Sequence, residues 1–441
     1  MSARTANALP GNKAQATRWL VLIACVVAMM ATANLQFAWT LFTVPLTKSF
    51  HTSLAVIQVT FTIFVLVQTW LVPIEAYLVD KVGARAVVSV AALFVGASWI
   101  FAGMAHSLTG LYIAYAIGGV GAGTVYGACV GQVMKWFPDR RGLCVGIVTG
   151  AFGSGTVFTI IPISNMIDAK GYAAAFITFG IIQGVITLLA AQFMKLPASG
   201  WEPAGLRKIM AASKVLQSAR NYTPREMLKS GTFYLIYLMM TLVAFGGLTV
   251  TAQLKPIGVS YGFDKIFLFA GISVVNMALL LDRVIHGFTR PFWGWLSDRI
   301  GRYNTMGIAF FLEACAVAML TLFVHHPLLF VILSGFSFFA WGEIYSLFPT
   351  IIADVFGNKY ATTNYGIQYT AKGVASLLAG PGAALLMAAA GGSWLPVLWG
   401  AVACDLIAAT LATFWLRPMV TKMVTGGGVP PAAVPAVATG D

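Results

Sequence analysis

Residues 294–302 read GWLSDRIGR, and a weaker copy, AYLVDKVGAR, occupies residues 76–85. Asp80 in the copy precedes Asp298 by 218 residues. Four further positions recur at a nearly equal offset of 219 residues, namely Gly123 with Gly342, Tyr126 with Tyr345, Trp136 with Val355 and Phe137 with Phe356. An offset this constant over separate regions indicates a duplicated unit. The chain is therefore predicted to fold as two halves of similar architecture.

The composition places these halves in a membrane. Of the 441 residues, 59% are hydrophobic and only 9% are charged, which excludes an ordinary soluble globular protein. Apolar runs recur about every thirty residues, and a helix needs roughly 20 apolar residues to cross the hydrocarbon. We predict an all-α membrane protein with twelve transmembrane helices in two six-helix, pseudo-symmetric halves. The predicted spans are 19–45, 54–79, 86–105, 108–134, 143–166, 173–194, 233–257, 267–296, 305–324, 328–353, 364–390 and 394–416.

Charge predicts the domain limits and the orientation. A polar stretch at 195–231 with seven basic residues divides the spans six and six. If both termini are cytoplasmic, all but seven of the 27 lysines and arginines fall on cytoplasmic segments, as basic loop residues do in inner (plasma) membrane proteins. The same bias explains the net charge of +13 without nucleic-acid binding. The predicted divisions are a cytoplasmic tail at 1–18, six-helix bundles at 19–194 and 232–416, a cytoplasmic basic linker at 195–231 and a disordered cytoplasmic tail at 417–441.

The repeated loop resembles a known motif. GWLSDRIGR is similar to the G-x-x-x-D-[RK]-x-G-[RK] loop of the major facilitator superfamily, and the copy is degenerate because Ala76 and Ala84 replace a glycine and a basic residue. The resemblance implies the twelve-span fold of that superfamily. It also implies that Asp298, Asp80 and Arg302 latch helix ends in one conformation. A plain polar turn remains the alternative interpretation.

Charged side chains inside spans mark candidate functional positions, because each costs about 2.5–3.5 kcal/mol at mid-bilayer. Three basic residues fall within spans: Arg283, Arg290 and Lys372. Helical spacing puts Asp282, His286 and Arg290 on one stripe of the eighth span, and the span of Lys372 contains no acid. A buried cation without a fixed acidic partner is able to pair with a transported anion.

The sequence leaves two interpretations open for each of four titratable residues within spans, which are Asp282, Arg283, His286 and Glu343. Asp282 and Arg283 either pair with neighbouring spans as structural charges or contact the substrate. His286 either bonds Asp282 or a backbone carbonyl, or handles a proton. Glu343 either neutralises a basic residue or binds a proton. Glutamine and aromatic residues at matching depths are expected to line a cavity, and these are Gln36, Phe37, Trp39, Gln58, Tyr126, Trp341, Tyr345, Gln368 and Tyr369.

Longer segments resemble one branch of the superfamily. Five stretches are similar to the oxalate:formate antiporter family: LQFAWTLFTVPL, YGACVGQVMKWFPDRRGL, RPFWGWLSDRIGRYNTM, FFAWGEIYSLFP and NYGIQYTAKGVAS. The resemblance implies that an arginine of the eighth span and a lysine of the eleventh hold the two carboxylates of oxalate. By motif match these are Arg290 and Lys372, and the cavity walls are Gln36, Tyr126, Trp341, Tyr345 and Tyr369. The chain departs from the family where Phe37 replaces a tyrosine and Tyr369 replaces a tryptophan.

These observations lead to one main hypothesis and two alternatives. The main hypothesis is a secondary antiporter of small carboxylate anions that works as a monomer in the lipid bilayer. The alternative is a proton-coupled monocarboxylate symporter. A membrane enzyme is the least supported, because the sequence has no nucleophile–base pair, phosphate loop or metal-ligand spacing, and neither a metal nor a cofactor is expected.

Overall fold

The computed structural model describes residues 11–137, 141–195, 197, 218, 220–269, 271–357 and 360–425. The first three spans are Gly11–Thr32 continued by Asn34–Phe37 and Trp39–Ser49, then Leu54–Trp70 with Val72–Val82, then Ala84–Gly103. The fourth is Leu108–Trp136, and the fifth and sixth comprise Arg141–Ser154, a 3₁₀ turn at Gly155–Phe158 and Ile160–Ala191. Gly171, with a φ of 84°, divides the last helix into the end of the fifth span and the sixth.

A short helix at Pro224–Met227 precedes the second half. The seventh to ninth spans are Gly231–Ser260, Val274–Ile300 and Arg302–Leu322, and the tenth is Pro327–Trp341 with Ile344–Phe356. The eleventh is Ala361–Leu377, a π-helical turn at Leu378–Gly382 and Ala383–Ala389. The twelfth is Leu395–Thr410, a π-helical turn at Leu411–Leu416 and Arg417–Thr425.

Twelve spans therefore occupy the described part of the chain, which confirms the predicted fold class. By length and apolar composition alone, nine helical stretches of this part are candidate spans. The stretch Leu143–Ala191 contains two spans, and Leu54–Trp70 is short because the second span continues as Val72–Val82. Val274–Ile300 is absent from the nine because of its charged residues. That helix is where the candidate functional residues concentrate.

Two boundaries were predicted wrongly. The eighth span begins at Val274 instead of residue 267, because Phe267–Phe269 pairs antiparallel with Ile272–Ser273. Gly271 between these strands has a φ of 72°, which a glycine adopts readily, and Ser273 then caps the helix. At the other end of the half, the helix of the twelfth span continues through Thr425 where a disordered tail was predicted. Residues 426–441 lie outside the described residues.

The two halves pack closely along two pairs of spans. The fifth span lies against the eighth, where a Cβ on Gly150 would come within 2.6 Å of the Gly287 carbonyl oxygen. The second span lies against the eleventh, where Gly373 leaves room for Trp70. Small residues at such crossings let helix backbones approach in lipid. Gly127 of the fourth span lies at no such crossing, since a Cβ there would meet no atom within 4 Å.

The linker ends on the second half. The backbone N–H groups of Ser218 and Tyr222 donate to the carbonyls of Asp354 and Phe356, at 2.9 and 2.8 Å. Thr223 and Glu226 then form a capping box that begins the helix Pro224–Met227. The described end of the linker therefore holds the end of the tenth span.

Candidate functional site

Lys372 lies in the middle of the eleventh span and is fully buried. Its Nζ donates to Gln36 Oε1 at 3.1 Å, to Tyr369 Oη at 3.2 Å and to Gln68 Oε1 at 3.4 Å. Gln36 and Gln68 belong to the first and second spans, so this cation connects the halves. All three acceptors are neutral, and Lys372 forms no ion pair with a described residue.

Arg290 lies in the eighth span and is also fully buried. Its Nη2 contacts His286 Nε2 at 2.7 Å, and its Nη1 donates to the Thr149 carbonyl of the fifth span. Because a guanidinium only donates, His286 Nε2 must accept, which places the imidazole proton on Nδ1. Arg290 likewise has no acidic partner among the described residues.

One aromatic ring lies beside both cations. The Arg290 guanidinium carbon is 3.9 Å from the centre of the Tyr345 ring, and Lys372 Nζ is 5.5 Å from it. Cation–π contact supplies part of the stabilisation that a buried charge needs. It does not replace hydrogen-bond acceptors, so both cations remain able to bind an anion.

The other predicted wall residues surround this pair. Tyr126 stacks on Tyr369 with ring centres 5.7 Å apart, and Trp341 lies 5.7 Å from Tyr345 and 5.0 Å from His286. The break between Trp341 and Ile344 in the tenth span places Trp341 and Tyr345 on consecutive helices. The structure thus brings together all seven residues named as substrate contacts: Arg290, Lys372, Gln36, Tyr126, Trp341, Tyr345 and Tyr369.

Hydrogen-bond donors exceed acceptors around the cations. Several buried donors have no acceptor in the described protein, and these are Arg290 Nε, Gln36 Nε2, Gln68 Nε2, His286 Nδ1, Trp341 Nε1, Tyr345 Oη and Tyr365 Oη. An unsatisfied buried polar group costs about 1–3 kcal/mol, so such groups are uncommon unless they serve a ligand. Donors and cations with too few acceptors form an environment suited to an anion rich in oxygen.

Asp282 and Arg283, for which pairing with neighbouring spans was one interpretation, form no ion pair with a described residue. No ion pair within 4.0 Å joins them, and neither Asp282 carboxylate oxygen has a hydrogen-bond partner in the described protein. The Arg283 guanidinium instead lies between two rings, 4.5 Å from Phe37 and 4.1 Å from Phe338. A bond from His286 to Asp282 was one of the open interpretations, and the imidazole Nε2 contacts Arg290 instead.

Glu343 forms no ion pair with any described cation. The segment between the two helices of the tenth span holds it fully buried. Both of its carboxylate oxygens lack a hydrogen-bond partner in the described region.

The predicted latch is only partly described. The side chains of Asp80 and Asp298 lie outside the described residues. Arg302 Nε pairs with Asp354 Oδ2 at 3.2 Å, and its Nη1 donates to Ser297 Oγ. Asp354, which the sequence did not single out, thus joins the start of the ninth span to the tenth.

Contacts between the halves lie on both sides of the site. Away from the linker, Gln58 Nε2 donates to the Ala252 carbonyl at 3.0 Å and to Gln253 Oε1 at 2.9 Å. Toward the linker, Trp70 Nε1 donates to the Thr370 carbonyl at 3.3 Å. With Arg290 and Lys372 fully buried between these contacts, the conformation is occluded.

Sequence reasoning missed two contacts of the site and misplaced two residues. Gln68 and the Thr149 carbonyl were not named, although an amide in mid-span is a detectable signal for Gln68. The Thr149 contact could not be predicted, because every residue type has a backbone carbonyl that can accept a hydrogen bond. Gln58 and Gln368 were expected to line the cavity, but Gln58 joins the halves and Gln368 donates to the Ile236 carbonyl.

The sequence is similar to those of known proteins. A profile described as Major Facilitator Superfamily matches residues 21–286 and 284–439. The chain is 33% identical over 412 residues to the oxalate:formate antiporter of Oxalobacter formigenes, across 92% of this chain and 94% of that protein. It is 22% identical to the uncharacterized MFS-type transporter YhjX of Escherichia coli, across 82% of this chain and 87% of that protein.

A more distant likeness covers half of the chain. Human monocarboxylate transporter 11 is 25% identical over 228 residues, which are 52% of this chain and 45% of that protein. The relatives are named as transporters, which confirms the prediction that the chain is not an enzyme. The profile and the relative that is one third identical over nearly the whole chain confirm the resemblance seen in the repeated loop. This multi-pass, all-α membrane protein belongs to the major facilitator superfamily, in the branch of the oxalate:formate antiporter.

Proposed function

We propose that the protein exchanges small carboxylates across the membrane as an oxalate:formate-type antiporter, with the anion held by Arg290 and Lys372. One observation carries the proposal: two fully buried cations that lack acidic partners in the described protein lie beside the same tyrosine ring. The relative named oxalate:formate antiporter supports oxalate and formate as the lead substrates.

The two cations suit the two ends of a dicarboxylate. The planar guanidinium of Arg290 offers parallel N–H donors to one carboxylate, and the ammonium of Lys372 supplies a point charge to the other. Their present acceptors, His286 and the Gln36 and Gln68 amides, are neutral. A charged carboxylate forms a stronger bond with each cation than a neutral acceptor does, so it displaces them.

The position of the site explains how exchange would be obligatory. Arg290 and Lys372 both belong to the second half, but their bonds reach the first, second and fifth spans of the first half. Binding of a dianion neutralises the repulsion between the cations and favours closure of the halves around it. Alternating access then follows from opening the contacts on one side of the site or the other.

The cellular setting is part of the proposal. The distribution of basic residues supports a plasma (inner) membrane protein with both termini and the linker at 195–231 in the cytoplasm. Arg290, Lys372 and the groups that they contact all belong to one chain, which supports function as a monomer.

Transport in proteoliposomes tests the assignment. Vesicles loaded with formate should take up labelled oxalate, and uptake should be lost in both Arg290→Ala and Lys372→Ala. Lys265→Ala, which removes an exposed cation outside the spans, is the matched control and should transport normally. If both site variants take up oxalate as fast as the wild type, the proposed role of the two cations is refuted.

His286 gives the second candidate, a proton-coupled monocarboxylate symporter, a specific basis. Its imidazole touches Arg290 and is therefore placed to link a proton to an anion. The likeness to monocarboxylate transporter 11 is consistent with this candidate. Uptake of labelled formate into vesicles without internal substrate, driven by an imposed pH gradient, would favour symport over exchange.

A further inference from the structure

Two acidic residues outside the candidate site face each other within the second half. Glu313 of the ninth span and Asp405 of the twelfth are both fully buried. None of their four carboxylate oxygens has a hydrogen-bond partner in the described protein. No described cation lies within 4.0 Å of either.

Gly246 of the seventh span shows how closely the two carboxylates approach. A Cβ at this position would lie 3.1 Å from Asp405 Oδ2 and 3.2 Å from Glu313 Oε1. Both carboxylates therefore converge on one point of the helix surface, and glycine leaves the space that they occupy.

A hydrogen-bond donor without an acceptor lies at the same place. Trp341 packs flat on Gly247, the neighbour of Gly246, and it lines one small cavity together with Glu313. Its indole is 1% exposed, and Nε1 has no acceptor in the described region. The unpaired Trp341 donor and the unpaired Glu313 carboxylate thus line one small cavity, and neither Arg290 nor Lys372 lines it.

The chemistry selects a proton as the ligand. A buried carboxylate ion without a partner costs several kcal/mol, and two adjacent ones also repel, whereas a protonated carboxyl avoids both penalties. Among the described residues, no group of histidine, cysteine and acidic side chains has the arrangement of a metal site. A metal cation is therefore a poorer fit than a proton.

We propose that Glu313 and Asp405 form a proton-binding site of the second half, which holds at least one proton between the two carboxyl groups. The titratable groups that face the pair are Glu343 of the tenth span, which interacts electrostatically with both, and Cys404 beside Asp405. No described charge from the seventh span faces the pair at Gly246.

Trp341 connects this pair to the anion site. Its ring contacts His286 and Tyr345 on the side of the cations and lines the cavity of Glu313 on the other. Loss of the proton leaves carboxylate ions beside Gly246 and Trp341, and the ionised Glu313 attracts the unpaired indole N–H, which shifts the ring. Proton occupancy therefore changes the geometry of the anion site without a proton binding there.

Infrared spectroscopy tests the site without any transported substrate. The purified protein should show the carbonyl stretching band of buried protonated carboxyl groups at neutral pH. This band should decrease in both Glu313→Gln and Asp405→Asn, which keep the side-chain shape. Glu226→Gln, at an exposed carboxyl of the linker helix, is the matched control and should leave the band unchanged.

Two infrared outcomes overturn the proposal: no such band in the wild type, or a band that neither site variant reduces. Because Asp282 and Glu343 are also buried carboxyls, the decrease of the band in a folded variant assigns it to the pair, and either of the two variants is sufficient. This readout is also independent of substrate, so its failure is distinguishable from failure of the antiport proposal.

Exchange at different pH tests the connection through Trp341. The wild-type rate should change by up to about tenfold per pH unit where one proton binds. The profile of Glu313→Gln should be flat, with exchange itself retained. A wild-type rate that is constant with pH, or an unchanged profile in the variant, would contradict the connection.

Discussion

Replacing Lys372 by methionine separates the binding role of the cation from its effect on stability. Methionine keeps the length of the side chain and removes the charge and the three donors. If Lys372 holds a carboxylate, its loss removes a buried charge pair, which costs about 2–5 kcal/mol in binding. At about 1.4 kcal/mol per tenfold change, oxalate affinity should fall by about 30-fold to about 4,000-fold.

Stability should respond differently, because two effects of the same substitution oppose each other. The lysine has no acidic partner in the described protein, so methionine relieves about 2.5–3.5 kcal/mol of the penalty for a charge in the membrane. It also leaves the acceptors on Gln36 and Gln68 unpaired, at about 1–3 kcal/mol each. The two ranges overlap, so the free energy of unfolding should change by an amount between a gain of about 1.5 kcal/mol and a loss of about 3.5 kcal/mol.

Calorimetric titration with oxalate and thermal unfolding in detergent measure the two quantities on one sample. Lys265→Met, at an exposed lysine, is the control and should change neither. Unchanged oxalate affinity in Lys372→Met would refute the anion role. A large loss of stability with affinity retained would show instead that Lys372 is a structural cation.

Three further predictions concern contacts outside the cations. Gly150→Ala places a methyl group against the Gly287 carbonyl between the halves, so it should lower stability by about 1–3 kcal/mol and slow exchange. Gly127→Ala is the control, because its methyl group meets no atom within 4 Å, and it should change neither quantity. Thermal unfolding measures the stability and counterflow measures the exchange rate. Gln58→Leu removes two hydrogen bonds between the halves, worth about 1–3 kcal/mol together, so the population with these contacts open should rise by about 5-fold to 150-fold. Hydrogen exchange of the second and seventh spans measures this population, and unchanged exchange there would contradict the prediction. The capping bonds from Thr223 and the Arg220 guanidinium lower the pKa of Glu226 from 4.5 to about 2, so their stabilisation is present above pH 4.5 and lost as the pH falls through about 2. The protection factors of the amides of residues 225–227, which compare exchange with the intrinsic rate at each pH, should fall over that range in the wild type and stay constant in Glu226→Gln.

Hydrophobicity and repetition in the sequence were sufficient for the fold class. Backbone polar groups must be hydrogen-bonded within the segment when lipid surrounds it, and a helix achieves this. Long apolar segments therefore form helical spans, and composition was sufficient to locate them. The repeat of Tyr126 in Tyr345 identified the halves. The start of the eighth span was predicted too early, because the apolar Phe267–Phe269 pairs with Ile272–Ser273 in a hairpin and does not continue the helix.

The sequence also identified the unusual charges, because an arginine or lysine in mid-membrane is costly wherever it occurs. It left open which charges pair, since pairing depends on side chains from distant spans. Only the tertiary structure separates Arg283, which lies between Phe37 and Phe338, from Arg290 and Lys372, which lie beside Tyr345. Likewise Glu313 and Asp405 are 92 positions apart in the sequence, and only the packing of the ninth and twelfth spans against Gly246 brings their carboxylates together. The sequence by itself determined the membrane fold and the presence of costly buried groups, and the packing of the spans decided which of those groups face one another.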